Sequence, residues 1–321
     1  MPASYVHQCV AADACDSLRL FNDEQLRAAL LAGSEGPDPL FFSLIPVPGA
    51  PSAPKLGSLM HTKKTGDLLL ALAKACSKSE ITRAYCCGFF SHYGTDTTFH
   101  PFVYAHCAQA DGQYSGTIHC TLEHGLETLL YRRRGHETDL PTQMAGFLLL
   151  TKENKDEIAQ ALSAALEEVF PEHKIGLARV RKSFDDAAFF CTLLRSPSGR
   201  RYQIFGALAA LVGKKDALYA HMMPKEPPAQ DIANDAHATW FSPWAPEIPR
   251  SESFSDLFAS AIARAEELIP AVLAFMQGES DESALRSCTG DNSFDSGLSW
   301  KDTLPASDVF MMRREAAGNS R

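Results

Sequence analysis

Residues 88–102 of the chain read GFFSHYGTDTTFHPF, and their spacing is the strongest structural signal in the sequence. It places His92, Asp96 and His100 four residues apart. Because an α-helix turns by about 100° per residue, positions four apart lie on one face, and the three side chains form a ridge. A second ridge follows at His119 and Glu123, which have the same spacing. The sequence therefore predicts two helices that bring imidazoles and carboxylates together.

The side chains on these ridges are the types that bind divalent metals. Nitrogen and oxygen donors suit zinc, and unpaired ionisable groups are costly in the apolar setting that Phe89, Phe90 and Phe102 provide. A surface salt bridge would explain a single His–carboxylate pair equally well. Three such residues on one face, with a further pair soon after, favour a metal site instead.

Helical periodicity dominates the rest of the chain, and strict alternation of the strand type is scarce. The predicted helices span 23–31, 56–76, 79–92 and beyond, 117–133, 155–169, 175–194, 201–211 and 254–275. The predicted fold class is therefore all-α, a multi-helix bundle. We expect residues 1–278 to form one domain. Residues 279–321 are rich in Ser, Asp, Gly and Glu and are predicted to form a polar C-terminal tail, mobile or partly docked.

Composition limits the function classes. The formal net charge is −9 over 321 residues, which disfavours a stable nucleic-acid partner because proteins that bind nucleic acids usually carry a basic footprint. Nine cysteines occur without a CxxC spacing, which is typical of a reducing compartment rather than of a disulfide framework. No signal peptide is apparent and no apolar run could span a bilayer, so we expect a cytoplasmic protein without a transmembrane segment.

Several short motifs recur in one order along the chain, densest before residue 130. They are MPASYVH at 1–7, GPDPLFF at 36–42, LGSLMH at 56–61, the stretch 88–102, HCTLE at 119–123 with Glu127 four residues on, and the series Asn234, Trp240, Pro243. Each is weak alone, but six in order are fairly specific. Together they resemble the zinc-dependent phospholipase C family.

The resemblance implies the all-helical fold shared by bacterial phospholipases C and P1-type single-strand nucleases, with two to three zinc ions. The implied ligands are Asp38, His61, His92 and Asp96 for one zinc, His100, His119 and Glu123 for a second, and His7 with the bridging Asp96 and the N-terminal amine for a third. Secreted relatives begin at a processed Trp, whereas this chain begins Met1-Pro2. We therefore expect Pro2 to supply the amine after removal of Met1.

The resemblance also implies an enzyme, a zinc-dependent hydrolase that cleaves a phospholipid or a related small phosphodiester with metal-activated water. Asp38 would be the catalytic residue that orients or deprotonates this water, unless it only ligates. Glu127 would fix His119 or Glu123, unless it is a surface carboxylate. Two alternatives stay open: a single-strand nuclease or nucleotidase on the same cluster, and a non-catalytic metal-binding protein. As partners we expect the substrate and at most transient contact with a membrane surface.

Overall fold

The computed structural model describes residues 4–43, 52–109, 112–211 and 222–318. In these ranges the helices are α1 (Ser4–Leu18), α2 (Glu24–Gly33), α3 (Ala53–Thr62), α4 (Thr65–Cys76), α5 (Glu80–Ala105), α6 (Gly116–Arg133), α7 (Ala145–Leu149), α8 (Lys152–Val169), α9 (Leu177–Leu194), α10 (Arg200–Leu211), α11 (Phe254–Gln277), α12 (Glu282–Thr289) and α13 (Ala306–Gly318). Short 3-10 turns cover Asp38–Phe42 and Pro171–His173. The prediction of an all-α fold is confirmed.

One small sheet was not predicted from the sequence. Strands β1 (Trp240–Ser242) and β2 (Ala245–Arg250) pair antiparallel, with Trp240 opposite Arg250. Strands of three and six residues are too short to give a clear alternating pattern, and β2 contains two prolines. The indole of Trp240 is buried against the ring of Phe102, so the hairpin covers α5.

Local capping explains where the two ridge helices begin. The Ser79 side chain accepts the Thr82 N–H at the start of α5, and Ser115 accepts the Ile118 N–H at the start of α6. Both serines therefore satisfy a backbone donor that has no partner within the helix. These caps fix where the helices begin, and the helical repeat then keeps the residues of each ridge on one face.

Helix α5 is the centre of the bundle, and α2 crosses it at very close range. A Cβ atom on Gly33 would lie 1.9 Å from the Tyr85 carbonyl oxygen, and one on Gly88 would lie 2.0 Å from the Leu30 carbonyl oxygen. No side chain fits at either position, so the two backbones touch directly. This crossing brings the end of α2, and the turn that follows it, to the ridge of α5.

The predicted helix 56–76 is interrupted in the structure. Helix α3 ends at Thr62, and Lys64 adopts the left-handed region with φ +52° before α4 begins. The His61 carbonyl accepts the Phe294 N–H at 2.8 Å instead of continuing the helix. The prediction of one continuous helix was wrong: Lys63 is extended and Lys64 is left-handed, and the His61 carbonyl at this break bonds to a distant part of the chain.

The segment after residue 278 contains α12 and α13, and Phe294 between them is fully buried. The division into a domain and a tail at this residue stays a prediction. Among the helices of the described ranges, none combines the length and the apolarity needed to cross a membrane. All nine cysteines are free.

Candidate metal centre

The structure brings all eight predicted ligands into one buried centre. Helix α5 supplies its ridge, α6 supplies the second ridge, and the remaining three residues come from α1, the first 3-10 turn and the end of α3. Every one of them is at most 8% exposed: His7, Asp38, His61, His92, Asp96, His100, His119 and Glu123. Burial of this many ionisable groups requires compensation, because unpaired charges are costly away from water.

Asp96 occupies the middle of the centre. Its Oδ2 lies 2.9 Å from His92 Nε2 and 3.6 Å from His61 Nε2. Its Oδ1 lies 3.3 Å from His7 Nε2 and 3.7 Å from His100 Nε2. One carboxylate thus faces four imidazoles, which places it to bridge neighbouring cation sites.

The ligand atoms form three overlapping groups with the spacing of a metal site. His92 belongs to two of them, and its one free atom, Nε2, can serve only one ion. The groups are His7, His92 and Asp96; Asp38, His61 and His92; and His100, His119 and Glu123. Within them His61 Nε2 lies 3.2 Å from Asp38 Oδ1, and His119 Nε2 lies 3.1 Å from Glu123 Oε1. Two ligands of one tetrahedral zinc, each at about 2.0–2.1 Å, lie about 3.3 Å apart. The observed separations fit zinc.

Atoms without hydrogen bonds give a second test of fit. In the described part of the chain, His92 Nε2, Asp96 Oδ2 and Glu123 Oε2 are buried and have no hydrogen-bond partner. His92 Nε2 and Asp96 Oδ2 are only 2.9 Å apart, yet they do not hydrogen-bond. Buried polar atoms are rarely left without a partner, so the adjacent atoms His92 Nε2 and Asp96 Oδ2 fit a shared cation.

Backbone carbonyls orient three of the histidines. The bonds run from Nδ1 of His61 to Gly57 O at 2.7 Å, from Nδ1 of His92 to Ser34 O at 2.9 Å, and from Nδ1 of His100 to Phe294 O at 3.1 Å. A carbonyl oxygen can only accept, so Nδ1 carries the proton in each ring. In the neutral ring the lone pair is then on Nε2, the atom that faces the carboxylates.

The turn after α2 places Asp38 beside His92. Gly36 adopts φ +53°, and a Cβ atom there would lie 2.3 Å from His92 Cδ2. Only glycine allows both this backbone conformation and this close approach. The turn therefore brings the Asp38 carboxylate within 3.9 Å of His92 Nε2.

The electrostatics of the centre keep its carboxylates ionised. Burial alone would raise the pKa of Asp96, but His100 and His92 hold it well below its usual range. Burial alone would also raise the pKa of Glu123, but the neighbouring His119 imidazole holds the pKa of Glu123 well below its usual range. Burial would lower the pKa of His100, but Asp96 and Glu123 raise it to about 10. Without metal, His100 is therefore protonated at neutral pH.

Residues that were not predicted as site residues also line the cavity at this centre. It has a volume of about 230 Å³. Its wall includes Phe41, Tyr104, Tyr114 and Asp295 beside six of the eight predicted ligands. Asp295 Oδ1 lies 3.8 Å from His100 Nδ1, and its side chain is 16% exposed. One carboxylate in a polar segment carries no spacing signal, so no sequence pattern could have found Asp295.

Both interpretations of Glu127 were wrong. Its side chain is fully buried, so it is not a surface carboxylate, and it forms no hydrogen bond with His119 or Glu123 among the described residues. It accepts the Tyr5 N–H, and also His124 Nδ1–H at 2.8 Å and the Gln143 amide. Glu127 therefore holds the first turn of α1, two residues before His7. The proposed third-site amine of Pro2 lies outside the described residues.

A sequence model of the family described as zinc dependent phospholipase C matches residues 6–173. The chain belongs to the zinc-dependent phospholipase C family. The match covers more than half of the chain and includes seven of the predicted ligands besides His7, which lies at its start. Family membership and the all-α fold of the phospholipase C and P1 nuclease type are both confirmed. The chain matches no curated protein and no solved structure.

Proposed function

We propose that this protein is a zinc-dependent phosphodiesterase that hydrolyses a phospholipid or a related small phosphodiester. The observation that carries the proposal is the convergence of three His–carboxylate groups on one cavity. Family membership supports a hydrolase, and the nitrogen and oxygen donor set supports zinc. We propose two to three ions, held by the eight residues named above.

Zinc is the group whose chemistry this reaction needs. When bound, it polarises phosphoryl oxygens as a Lewis acid and makes water a nucleophile near neutral pH. The chain contributes a fixed frame for it. His61, His92 and His100 are each held by a backbone carbonyl, so little reorganisation accompanies the reaction.

Asp38 is the proposed catalytic residue. It lines the cavity, and its Oδ1 lies 3.2 Å from His61 Nε2 while its Oδ2 lies 3.9 Å from His92 Nε2. Burial would raise the pKa of Asp38, but His92 and His61 lower it, so the carboxylate is ionised at neutral pH. An ionised carboxylate at the cavity wall can orient an attacking water and accept its proton.

The size of the cavity supports a small phosphodiester group as the part that enters. Its 230 Å³ is below the range of about 300–1,000 Å³ that is usual for sites enclosing whole drug-sized ligands. The phosphate and its head group would occupy the cavity, and acyl chains would stay outside it. The enzyme would then need only transient contact with a lipid surface.

Metal analysis combined with turnover tests the proposal. We expect two to three zinc per purified chain, and hydrolysis of a chromogenic choline phosphodiester that chelation abolishes and zinc restores. His92→Ala should lose both zinc and turnover, whereas His237→Ala should lose neither, because His237 is exposed and distant in sequence from every ligand. Zinc without turnover on any phosphodiester would contradict the enzymatic assignment. Cleavage of single-stranded oligonucleotides alone would contradict the substrate class.

A further inference from the structure

The segment 289–297 lies beyond the part of the chain that matches the family, yet it contacts the metal centre directly. Phe294 is fully buried, and its N–H donates to the His61 carbonyl at 2.8 Å. The Ser293 hydroxyl donates to the same carbonyl at 3.2 Å. These two bonds hold the last turn of α3, so the position of the His61 backbone depends on this segment.

The aromatic ring of Phe294 packs between side chains of the centre. Its centroid lies 5.3 Å from the His61 ring, 5.9 Å from the His92 ring and 4.9 Å from the Tyr93 ring. Contacts at these distances restrict how far each imidazole can rotate. The same side chain thus limits two histidines that come from different helices.

The carbonyl of Phe294 acts on a third histidine. It accepts Nδ1–H of His100 at 3.1 Å. This bond fixes both the tautomer and the ring plane of His100, and it leaves Nε2 to face Glu123 at 3.5 Å. One residue therefore contacts His61, His92 and His100 through its N–H, its ring and its carbonyl.

The segment is itself anchored on α4 and α5. The Tyr93 hydroxyl donates to the Thr289 carbonyl at 2.6 Å, and Asp291 Oδ1 accepts the Gly66 N–H at 2.9 Å. Gly297 lies against the Thr97 carbonyl, and a Cβ atom on it would be 2.5 Å from that oxygen. Thr97 is four residues before Pro101, which has no N–H to donate back to it. The anchors give the segment one defined position.

We infer that the segment 289–297 is a positioning element of the metal centre, and that Phe294 is its positioning residue for three zinc ligands. The inference rests on the metal centre of the proposed function. The segment contributes no ligand of its own to the three groups. It fixes His61, His92 and His100 in the arrangement that binds zinc, so its displacement lowers the affinity for zinc even though every ligand remains.

Two glycines provide a matched pair of variants. Gly297 and Gly278 both adopt left-handed backbone, with φ +68° and +78°, so alanine strains both positions alike. Only Gly297→Ala creates a clash, because nothing lies within 4 Å of a Cβ atom on Gly278. We expect Gly297→Ala to weaken zinc binding by about 10- to 100-fold in a competition with a chromogenic chelator. Gly278→Ala should bind zinc as the wild type does.

A second pair tests Phe294 itself. Phe294→Leu keeps an apolar side chain but removes the ring, and Phe184→Leu makes the same change at another buried position, where the ring stacks on Phe147. Both substitutions should lower the free energy of unfolding, measured with urea, by similar amounts. Only Phe294→Leu should weaken zinc binding by about 10-fold or more. Absorption spectra of the Co²⁺-substituted protein should change for this variant alone, because the ligand field reports the orientation of the imidazoles.

The outcomes separate the inference from the proposed function. The inference would be overturned if the two variants of each pair bound zinc with equal affinity. This holds whether the affinity is unchanged in both variants or weakened in both. A wild type that binds zinc but hydrolyses no phosphodiester would contradict the proposed function, while the affinity comparison would still decide the inference. A wild type that binds no zinc would contradict both.

Discussion

Glu35 provides a quantitative test of how the centre is supported. It is fully buried, and its Oε1 accepts the Ser4 hydroxyl at 2.6 Å and the Gln8 amide at 2.9 Å, both on α1. Its Oε2 has no partner among the described residues. Burial raises the pKa of Glu35 from 4.5 to about 7, with the hydrogen bonds from Ser4 and Gln8 opposing this rise. We predict that Glu35→Gln removes a pH-dependent loss of stability.

The magnitude follows from the two pKa values. Below pH 4.5 the carboxyl is protonated in both the folded and the unfolded chain, so its ionisation has no effect on stability. Between pH 4.5 and about 7 the unfolded chain releases the proton while the folded chain retains it, so stability falls as pH rises. One pKa unit corresponds to about 1.4 kcal/mol, so the full loss is about 3 kcal/mol above pH 7.

The amide that Glu35→Gln introduces cannot ionise, so the variant should escape this loss. The amide also keeps the Oε1 acceptor and, like the protonated acid, presents a donor where Oε2 now lies. Urea unfolding at pH 5, 6, 7 and 8 should show the variant gaining about 2.5 kcal/mol over the wild type across this range, because part of the loss has already occurred at pH 5. Exposed Glu153→Gln is the control and should show a constant difference. A pH-independent difference for Glu35→Gln would refute the reasoning.

Three further predictions concern metal binding and its support. Asp96→Asn should lose more zinc than a substitution of any other one of the predicted ligands, because Asp96 faces four histidines. The zinc content of each variant after gel filtration checks this. The affinity for zinc should rise from pH 6 to pH 8, because zinc must displace the proton that His100 holds with a pKa of about 10. Calorimetry in buffers of different ionisation enthalpy should detect the proton that is released when zinc binds. Glu127→Ala should destabilise the protein by about 1–3 kcal/mol, because the Tyr5 N–H and His124 lose a buried acceptor. Urea unfolding measures this loss, and Glu172→Ala at an exposed position is the control.

Local spacing made most of the fold predictable, together with the convergence of the candidate ligands on α5 and α6, whereas His7, Asp38 and His61 were candidates only through the family resemblance. A helix converts the four-residue spacing of His92, Asp96 and His100 into one face without help from the rest of the chain. The serine caps at Ser79 and Ser115 are equally local signals. Because these features depend on neighbours within one turn, the sequence alone contains them.

The features that escaped prediction depend on contacts between distant residues. The break at Lys64 accompanies the bond from Phe294 to the His61 carbonyl, and Asp295 reaches the cavity only because Phe294 is buried beside it. Glu127 accepts a hydrogen bond from the first turn of α1 and does not contact His119 or Glu123 on its own helix through a hydrogen bond. Nothing in the residues around these positions encodes the partner, so periodicity and spacing could not identify it.

The bond between Phe294 and His61 also sets an order of events during biosynthesis. More than half of the chain separates Glu123, the last predicted ligand, from Phe294. A ribosome releases the chain from its N-terminus at about 5–20 residues per second, so all the ligands emerge roughly ten seconds or more before the residue that contacts three of them. During that interval His61, His92 and His100 lack the contacts that Phe294 makes with them in the folded chain. The centre can therefore reach its finished geometry only after Phe294 has left the ribosome, and stable binding of metal would follow that step.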